Sequence, residues 1–331
     1  MSPGLGTAHA SPAMTAPPFV SVILCAYNPR QDYFQATLES LRRQDLSAGS
    51  WELIVVDNNS APPLASWCDL GWHPAARIVV ETTQGLAQAR RRGYLEARGG
   101  LIVHSDDDNV LVPDYLLRAR EIHRIHPHLG TFGGQLIPRF EIEPRSHLER
   151  SFGEERRLDA DRWSNLIDDT RCMPWGAGMC LRREVVDAYL AQVAADPRRL
   201  LLGRTGERLM TGEDLDMNYV AVKHGYGTGL FKALALEHFI PAKHLNPEHH
   251  IRYKGEANGY SVTILHYLHF DRLGRPPLRW SARVSKWIRR HRMGAVERRR
   301  AEAWDRGVAA AIRDIKNWGW QVPRPPGCDR P

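Results

Sequence analysis

The chain of 331 residues is most informative first for what it lacks. No stretch approaches the ~20 consecutive apolar residues a membrane-spanning helix requires. Its five cysteines, Cys25, Cys68, Cys172, Cys180 and Cys328, are odd in number and widely spaced, with no C-x-x-C pair. That spacing argues against a disulfide framework and a cysteine zinc site, and fits a reducing, cytoplasmic setting. No G-x-G-x-x-G follows the first apolar run and no G-x-x-x-x-G-K-[ST] occurs anywhere, which argues against a dinucleotide fold and a P-loop. Residues 1–18 are small and Pro-rich, without a basic n-region or an apolar h-region, and read as a disordered leader rather than a signal peptide, with Met14 a second candidate start. No internal repeat is evident.

What is present is the composition of an ordinary globular protein with a formal net charge of +7. Phe19–Ala26 is an apolar, β-rich run closed by the turn signal Tyr27-Asn28-Pro29. Trp51–Val56 is a second buried strand, Arg77–Val80 a third and Leu101–His104 a fourth. The helical patterns Gln35–Arg43 and Gly85–Ala97 lie between them. Strands alternating with helices predict an α/β fold around an open, mostly parallel sheet. Farther on, Thr131–Ile137 and Lys232–Phe239 read as strands, and Glu184–Val193 and Leu215–His224 as helices. The polar stretch Glu141–Thr170 suits a substrate loop, and the chain turns helical after Pro247.

In such sheets ligands gather beyond the carboxyl ends of the strands. Polar clusters stand at three of those ends: Ala26-Tyr27-Asn28, Asp57-Asn58-Asn59 and the triplet Asp106-Asp107-Asp108. Three adjacent carboxylates repel one another, and Mg²⁺ or Mn²⁺ with phosphate co-ligands would offset them. Strand alternation predicts that Asp106 and Asp108 point the same way and Asp107 elsewhere. A solvated acidic turn is the other reading of the triplet. Asp57 could accept hydrogen bonds from a base or ribose, or close an Asx turn. Tyr27 could stack on a base or pack in the core.

These clusters, in this order, resemble family-2 glycosyltransferases of the GT-A fold over roughly residues 19–261. Five separated motifs carry the resemblance: SVILCAYNP, with Cys25 where proline is usual; VVDNNS; GLAQARRRGY, with Arg91 where asparagine is frequent; DDDNVLVPDYL; and GAGMCLRREV followed by GEDLDM. The resemblance implies a GT-A catalytic domain over 19–246 and a helical, basic extension over 247–331. It implies metal-dependent, inverting transfer of a sugar from a nucleotide diphosphate sugar, with a UDP-sugar the first expectation. The acceptor hydroxyl would belong to a glycan, a lipid-linked sugar or a small molecule. Ala26, Tyr27, Asn28, Asp57, Arg90, Asp106 and Asp107 would bind the nucleotide. Asp106 and Asp108, with His238 as a third ligand, would hold the cation. His238 lies in EHFIPAKHL, where His244 replaces a usual arginine and Lys243 is the nearest substitute. Asp214 is the expected general base and Glu213 its neighbour at a helix start, whereas Asp216 reads as structural. Trp175, Gly176 and Gly178 would form the acceptor wall; a core tryptophan beside a glycine turn is the other reading.

Eleven lysines and arginines fall between Arg272 and Arg300. Written as a helix, this segment places Trp280, Val284, Trp287 and Ile288 on one face and Arg279, Arg283, Lys286, Arg289 and Arg290 mostly on the other. Such a helix suits the surface of an anionic membrane through 279–300, or packing against the catalytic domain. No nucleic-acid module accompanies the charge, so no nucleic-acid partner is expected. Two rival readings are a nucleotidyltransferase, which would want a Gly- and Lys/Arg-rich loop where AYNPRQD stands, and a non-catalytic protein that binds membranes or polyanions.

Overall fold

The computed structural model describes residues 19–153, 155–205, 210–270 and 293–319. The predicted leader and most of the basic segment 279–300 lie outside them. The chain runs β1 (Val20–Ala26), α1 (Gln31–Arg42), β2 (Trp51–Asp57), β3 (Ala76–Val80), α2 (Leu86–Glu96), β4 (Leu101–Asp106), β5 (Asn109–Leu111) and α3 (Tyr115–Ile125). It continues through β6 (Leu129–Phe140), α4 (His147–Arg150), β7 (Arg162–Ser164), β8 (Cys180–Arg182), α5 (Arg183–Ala195), α6 (Glu213–Lys223) and β9 (Gly227–Ile240). The closing helices are α7 (Pro247–His250), α8 (Asn258–Phe270) and α9 (Ala295–Asn317).

One sheet holds the strands in the order β3-β2-β1-β4-β8-β6-β9-β5, with β7 added to β9. The first four pair in parallel, and every residue of β1 and β2 is buried. Both faces of these strands are covered, which is why they read as continuous apolar runs. Beyond β4 the sheet is mixed: β8 pairs antiparallel with β4 and β6, while β6 and β9 run parallel. Helices flank the sheet on both sides and split the core in two. Phe34, Leu38 and Leu41 of α1 cover one face, and Val185, Val186 and Tyr189 of α5 cover the other. This is the α/β, GT-A type arrangement the motifs imply.

Two further features position the site. The helical stretch from Pro247 to Phe270 widens to a π-helix over Ile251–Ala257, a distortion that often accompanies function. On its far side α9 crosses at backbone distance. A β-carbon on Gly255 would stand 2.8 Å from both the Ala303 β-carbon and the Arg300 carbonyl oxygen. A β-carbon on Gly259 or Gly307 would overlap the carbonyl oxygen of Trp304 or Glu256. Small residues four apart on both helices make this approach possible. The Tyr260 hydroxyl fastens it by donating to Asp314 Oδ2 at 2.7 Å.

Asp216, fully buried, has Oδ1 beside both Arg199 Nη1 and His269 Nε2. It thereby joins the 3₁₀ turn Pro197–Leu202 to α6 and α8, in keeping with the structural reading of this residue. Among the described residues no helix is long and apolar enough to cross a membrane.

Candidate active site

A cavity of about 670 Å³ opens beyond the carboxyl ends of β1 and β4. Ala26 and Tyr27 line one edge and Asp106, Asp107 and Asp108 the floor. Trp175, Gly176, Glu213, Asp214 and His238 stand around it. Most of the residues singled out by sequence therefore reach one enclosure. Asn28, Asp57 and Gly178 do not line it.

The departures have local causes. Asp57 is buried, and its two carboxylate oxygens accept from the Ser60 and Leu64 amides, each at 2.8 Å. It shapes the loop after β2, as the Asx-turn reading has it, and the adjacent Asn58 faces the cavity instead. Asn58 accepts from the Gly85 amide and donates to the Glu81 and Thr83 carbonyls, so it latches the β2 loop to the start of α2. Asn28 has a φ of 45°, its amide donates to Ser60 Oγ, and its Oδ1 accepts from the Ala61 amide. Left-handed backbone of this kind is tolerated best by glycine and asparagine. Gly178, at φ 69°, turns the chain, and its carbonyl accepts from the Tyr115 hydroxyl at 2.5 Å. Lining the cavity is not its part. The predicted alternation of the acidic triplet also fails. Strand β4 ends at Asp106, and residues 107–108 form a turn into β5, so strand alternation does not reach Asp108 and all three residues line the cavity.

Arg90 is the hinge of the electrostatics. Its guanidinium is buried, 2.9 Å from Asp106 Oδ1 and 3.4 Å from Glu213 Oε2. The expected diphosphate ligand is thus occupied in joining the acid at the end of β4 to the acid opening α6. Gly176 is needed beside it, since a β-carbon there would lie 3.0 Å from both terminal nitrogens of Arg90. Asp108 lies 3.4 Å from His238 Nε2. Burial works to raise the Asp108 carboxyl, yet His238 and Arg204 overcome it and hold the group below its ordinary 3.8. Asp107 has no histidine partner, and Arg204 and a backbone hydrogen bond only partly offset what acts on it. Burial, then Asp108 and Asp106, push it well above the ordinary range.

Asp214 sits in the first turn of α6, its Oδ2 accepting from the Gly176 amide at 3.1 Å and its Oδ1 from the Leu215 amide at 2.8 Å. These bonds aim the carboxylate at the wall formed by Trp175 and Gly176. Trp175 is 36% exposed and carries the Arg156 guanidinium 3.8 Å above its ring.

Glu213 behaves differently. Burial raises its carboxyl from 4.5 to about 7, opposed by Arg90 and reinforced by Asp214 and Asp106. Its folded pKa exceeds the unfolded one, so between pH 4.5 and about 7 the native state holds the extra proton. The stability this contributes is complete below 4.5 and is lost as pH rises through about 7. Glu213→Gln should therefore flatten the decline of the urea midpoint across that interval. An unchanged slope would place the titration on another group.

Among the cavity residues that escape the sequence reading, three stand near the acidic floor. Arg204 follows the 3₁₀ turn, and Tyr253 and Lys254 lie in the π-helix. Arg204 Nη2 donates to the Tyr253 hydroxyl at 3.0 Å. They bring cations to the acidic floor, the part expected of Lys243, which does not line the cavity. His244 is instead stacked on His249 at 4.1 Å. The turn signal Gly203-Arg204-Thr205, close before GEDLDM, was the available clue.

Among the described residues no three His, Cys, Asp or Glu side chains converge as a complete metal site. The Asp108–His238 pair still fits a cation that takes its remaining ligands from phosphate oxygens and water, as Mg²⁺ commonly does.

Comparison with known proteins agrees with the motif pattern. The family model described as glycosyl transferase family 2 matches residues 21–190. A putative glycosyltransferase EpsH of Bacillus subtilis is 33% identical over 101 residues, covering 30% of this chain and 28% of its own. The uncharacterized glycosyltransferase YfnE of the same organism is 26% identical over 151 residues, covering 43% and 38%. The aligned region thus spans less than two thirds of either relative. Among solved structures, S. aureus TarS 1–349 in complex with UDP-GlcNAc covers 91% of this chain and 92% of that one, at 13% identity and a TM-score of 0.49. The family model spans just over half of the sequence, and on that match the chain belongs to glycosyl transferase family 2.

Proposed function

We propose that this protein transfers a sugar from a nucleotide diphosphate sugar to a hydroxyl acceptor with inversion at the anomeric carbon. The observation that carries the reading is the meeting, in one cavity, of an acidic floor at the end of β4 and a separately held carboxylate, Asp214, on the opposite wall. The donor lies along the floor. Tyr27 and Asn58 flank its nucleoside end, and Arg204 and Lys254 face its phosphates, where charge-assisted hydrogen bonds are strong. A divalent cation, Mn²⁺ or Mg²⁺, held by Asp108 with His238 would neutralise charge gathering on the departing diphosphate. Asp106 remains on Arg90 and orients the floor.

The acceptor enters beside Trp175. Its hydroxyl donates to the Asp214 carboxylate, which removes the proton as the oxygen attacks the anomeric carbon and the bond to the diphosphate breaks. Inversion is what the family resemblance implies, and one carboxylate acting as base on the acceptor is consistent with a single displacement. Glu213, whose carboxyl burial raises to about 7, is held against Arg90 and supports the wall.

The test is a thermal-shift series of nucleoside diphosphates and their sugars, each with Mn²⁺ and with EDTA. A native-state ligand at a hundred times its Kd stabilises by about 2.7 kcal/mol. One nucleotide should raise the melting temperature in a metal-dependent way, and Asp108→Ala should abolish the rise. A folded protein with no shift from any nucleotide would overturn the reading.

A further inference from the structure

The polar stretch Glu141–Thr170 contains β7, which among the described residues pairs only with the start of β9. Its middle residue, Trp163, is 51% exposed and does not line the cavity. Three rings fix it in place. Phe231, itself buried, lies nearly parallel to it, with centroids 6.3 Å apart and 13° between the planes. His126 and His128, just beyond α3, stand 5.4 and 6.5 Å from it. His126 also leans on Phe231 at 5.2 Å and on His128 at 5.5 Å, so the four rings form one cluster. Trp163 faces Gly229 across the ladder, and a β-carbon on Gly229 would lie 3.1 Å from Phe231 Cε2 and 3.4 Å from Trp163 Cβ. The glycine leaves the two rings room to settle.

A ring already held in this way gives up little freedom when a ligand covers it. What it offers is mixed: an indole surface with two imidazoles beside it. His128 is exposed and His126 half-buried, and among the described residues neither imidazole has a hydrogen-bond partner. A lipid chain or an apolar protein surface laid on the cluster would strand those ring nitrogens. A pyranose would not. Its C–H face can lie on the indole, where one end of the contact is apolar and the other wet, while its hydroxyls meet the imidazole donors and acceptors. We infer that Trp163, His126 and His128 form a second saccharide site, outside the cavity, that holds one ring of a glycan chain. On β6 the partners of Gly229 and His238 are six residues apart, which places the platform about 20 Å from the Asp108–His238 pair. A sugar bound here is therefore a different sugar from the one being transferred.

Protein labelled with fluorotryptophan tests this by fluorine NMR, with Trp163→Phe identifying the Trp163 resonance. Cellotetraose, chitotetraose and maltotetraose are titrated without nucleotide, and phosphatidylglycerol vesicles serve as the comparison. At least one tetrasaccharide should move the Trp163 resonance in a saturable way, and vesicles should not. By calorimetry, Trp163→Ala should weaken that tetrasaccharide about tenfold, the loss of an aromatic contact surface. His128→Ala should weaken it about two- to tenfold, the worth of one hydrogen bond. His128 is exposed, so this variant should keep the wild-type urea midpoint, and its lost affinity then reports the site itself. A resonance moved by no tetrasaccharide, or by vesicles alone, would overturn the site. So would an affinity that both variants leave unchanged, since the sugar would then be bound elsewhere. Because no nucleotide is present, the site can fail with the transfer reading intact, and the transfer reading can fail with the site intact.

Discussion

Replacing Asp214 by asparagine should lower kcat by about 10²–10⁴-fold, the range over which a positioned general base contributes, while the donor KM changes little. The argument is geometric. Asparagine can still accept from one of the two amides that Asp214 serves, Gly176 at 3.1 Å or Leu215 at 2.8 Å, and gives up the other, so the wall is held by one bond in place of two. What disappears is the capacity to take a proton. The stability change should be small, since a first-turn carboxylate interacting with a helix dipole is worth about 0.3–1 kcal/mol. Nucleotide release measured under saturating acceptor, beside a denaturation midpoint, separates the two effects. A kcat within tenfold of the wild type would remove Asp214 from the chemistry. The paired variant Glu213→Gln should then be examined as the alternative base, although burial and its closeness to Arg90 make it the weaker candidate.

Arg90→Met should be the most destabilising single change near the cavity, at about 3–5 kcal/mol, the cost of stranding a buried ionic partner. Arg90 holds two acids, and the side chain of Glu213 is only 5% exposed. Protonation offers Glu213 a partial escape, because a neutral carboxyl tolerates burial better than an ionised one. The loss should therefore be larger at pH 8 than at pH 5.5, as read from urea midpoints at both values. Arg90→Lys keeps the charge without the planar fork that spans two carboxylates, and should fall between wild type and methionine. A loss below about 1 kcal/mol at both pH values would show that the carboxylates find water or other partners, against the ordinary cost of an uncompensated buried charge.

These two residues also mark how far the sequence can be read. The parallel half of the sheet was legible because β1 and β2 are buried throughout and mostly apolar, and β4 opens on the apolar run Leu101-Ile102-Val103. The ends of those strands mark where the cavity lies. The mixed half was less legible, since β5, β7 and β8 are three residues each and carry no measurable period. Orientation within a cluster was legible only in part. Asp57 and Asn58 are neighbours of similar size, and the choice of which one faces the cavity depends on where the Ser60 and Leu64 amides fall. Arg204 and Lys254 were hidden for another reason. They belong to segments that close over the site from far along the chain, and no local pattern states which distant surfaces will meet. For Arg90 the sequence supplied a cation near phosphate, whereas packing supplied the two carboxylates that occupy it.

The glycine-lined crossing of α8 and α9 gives the cavity a birth order. As the chain leaves the ribosome, the acidic floor and Asp214 emerge before the wall that bears Tyr253 and Lys254, and α9 emerges after that wall. Until it does, the backbone at Gly255 and Gly259 lacks the close cover that Ala303 and Trp304 give it in the fold. The carboxylates of the floor and Asp214 are thus made before the wall that encloses them. The enclosure is therefore completed only after α9 has followed that wall.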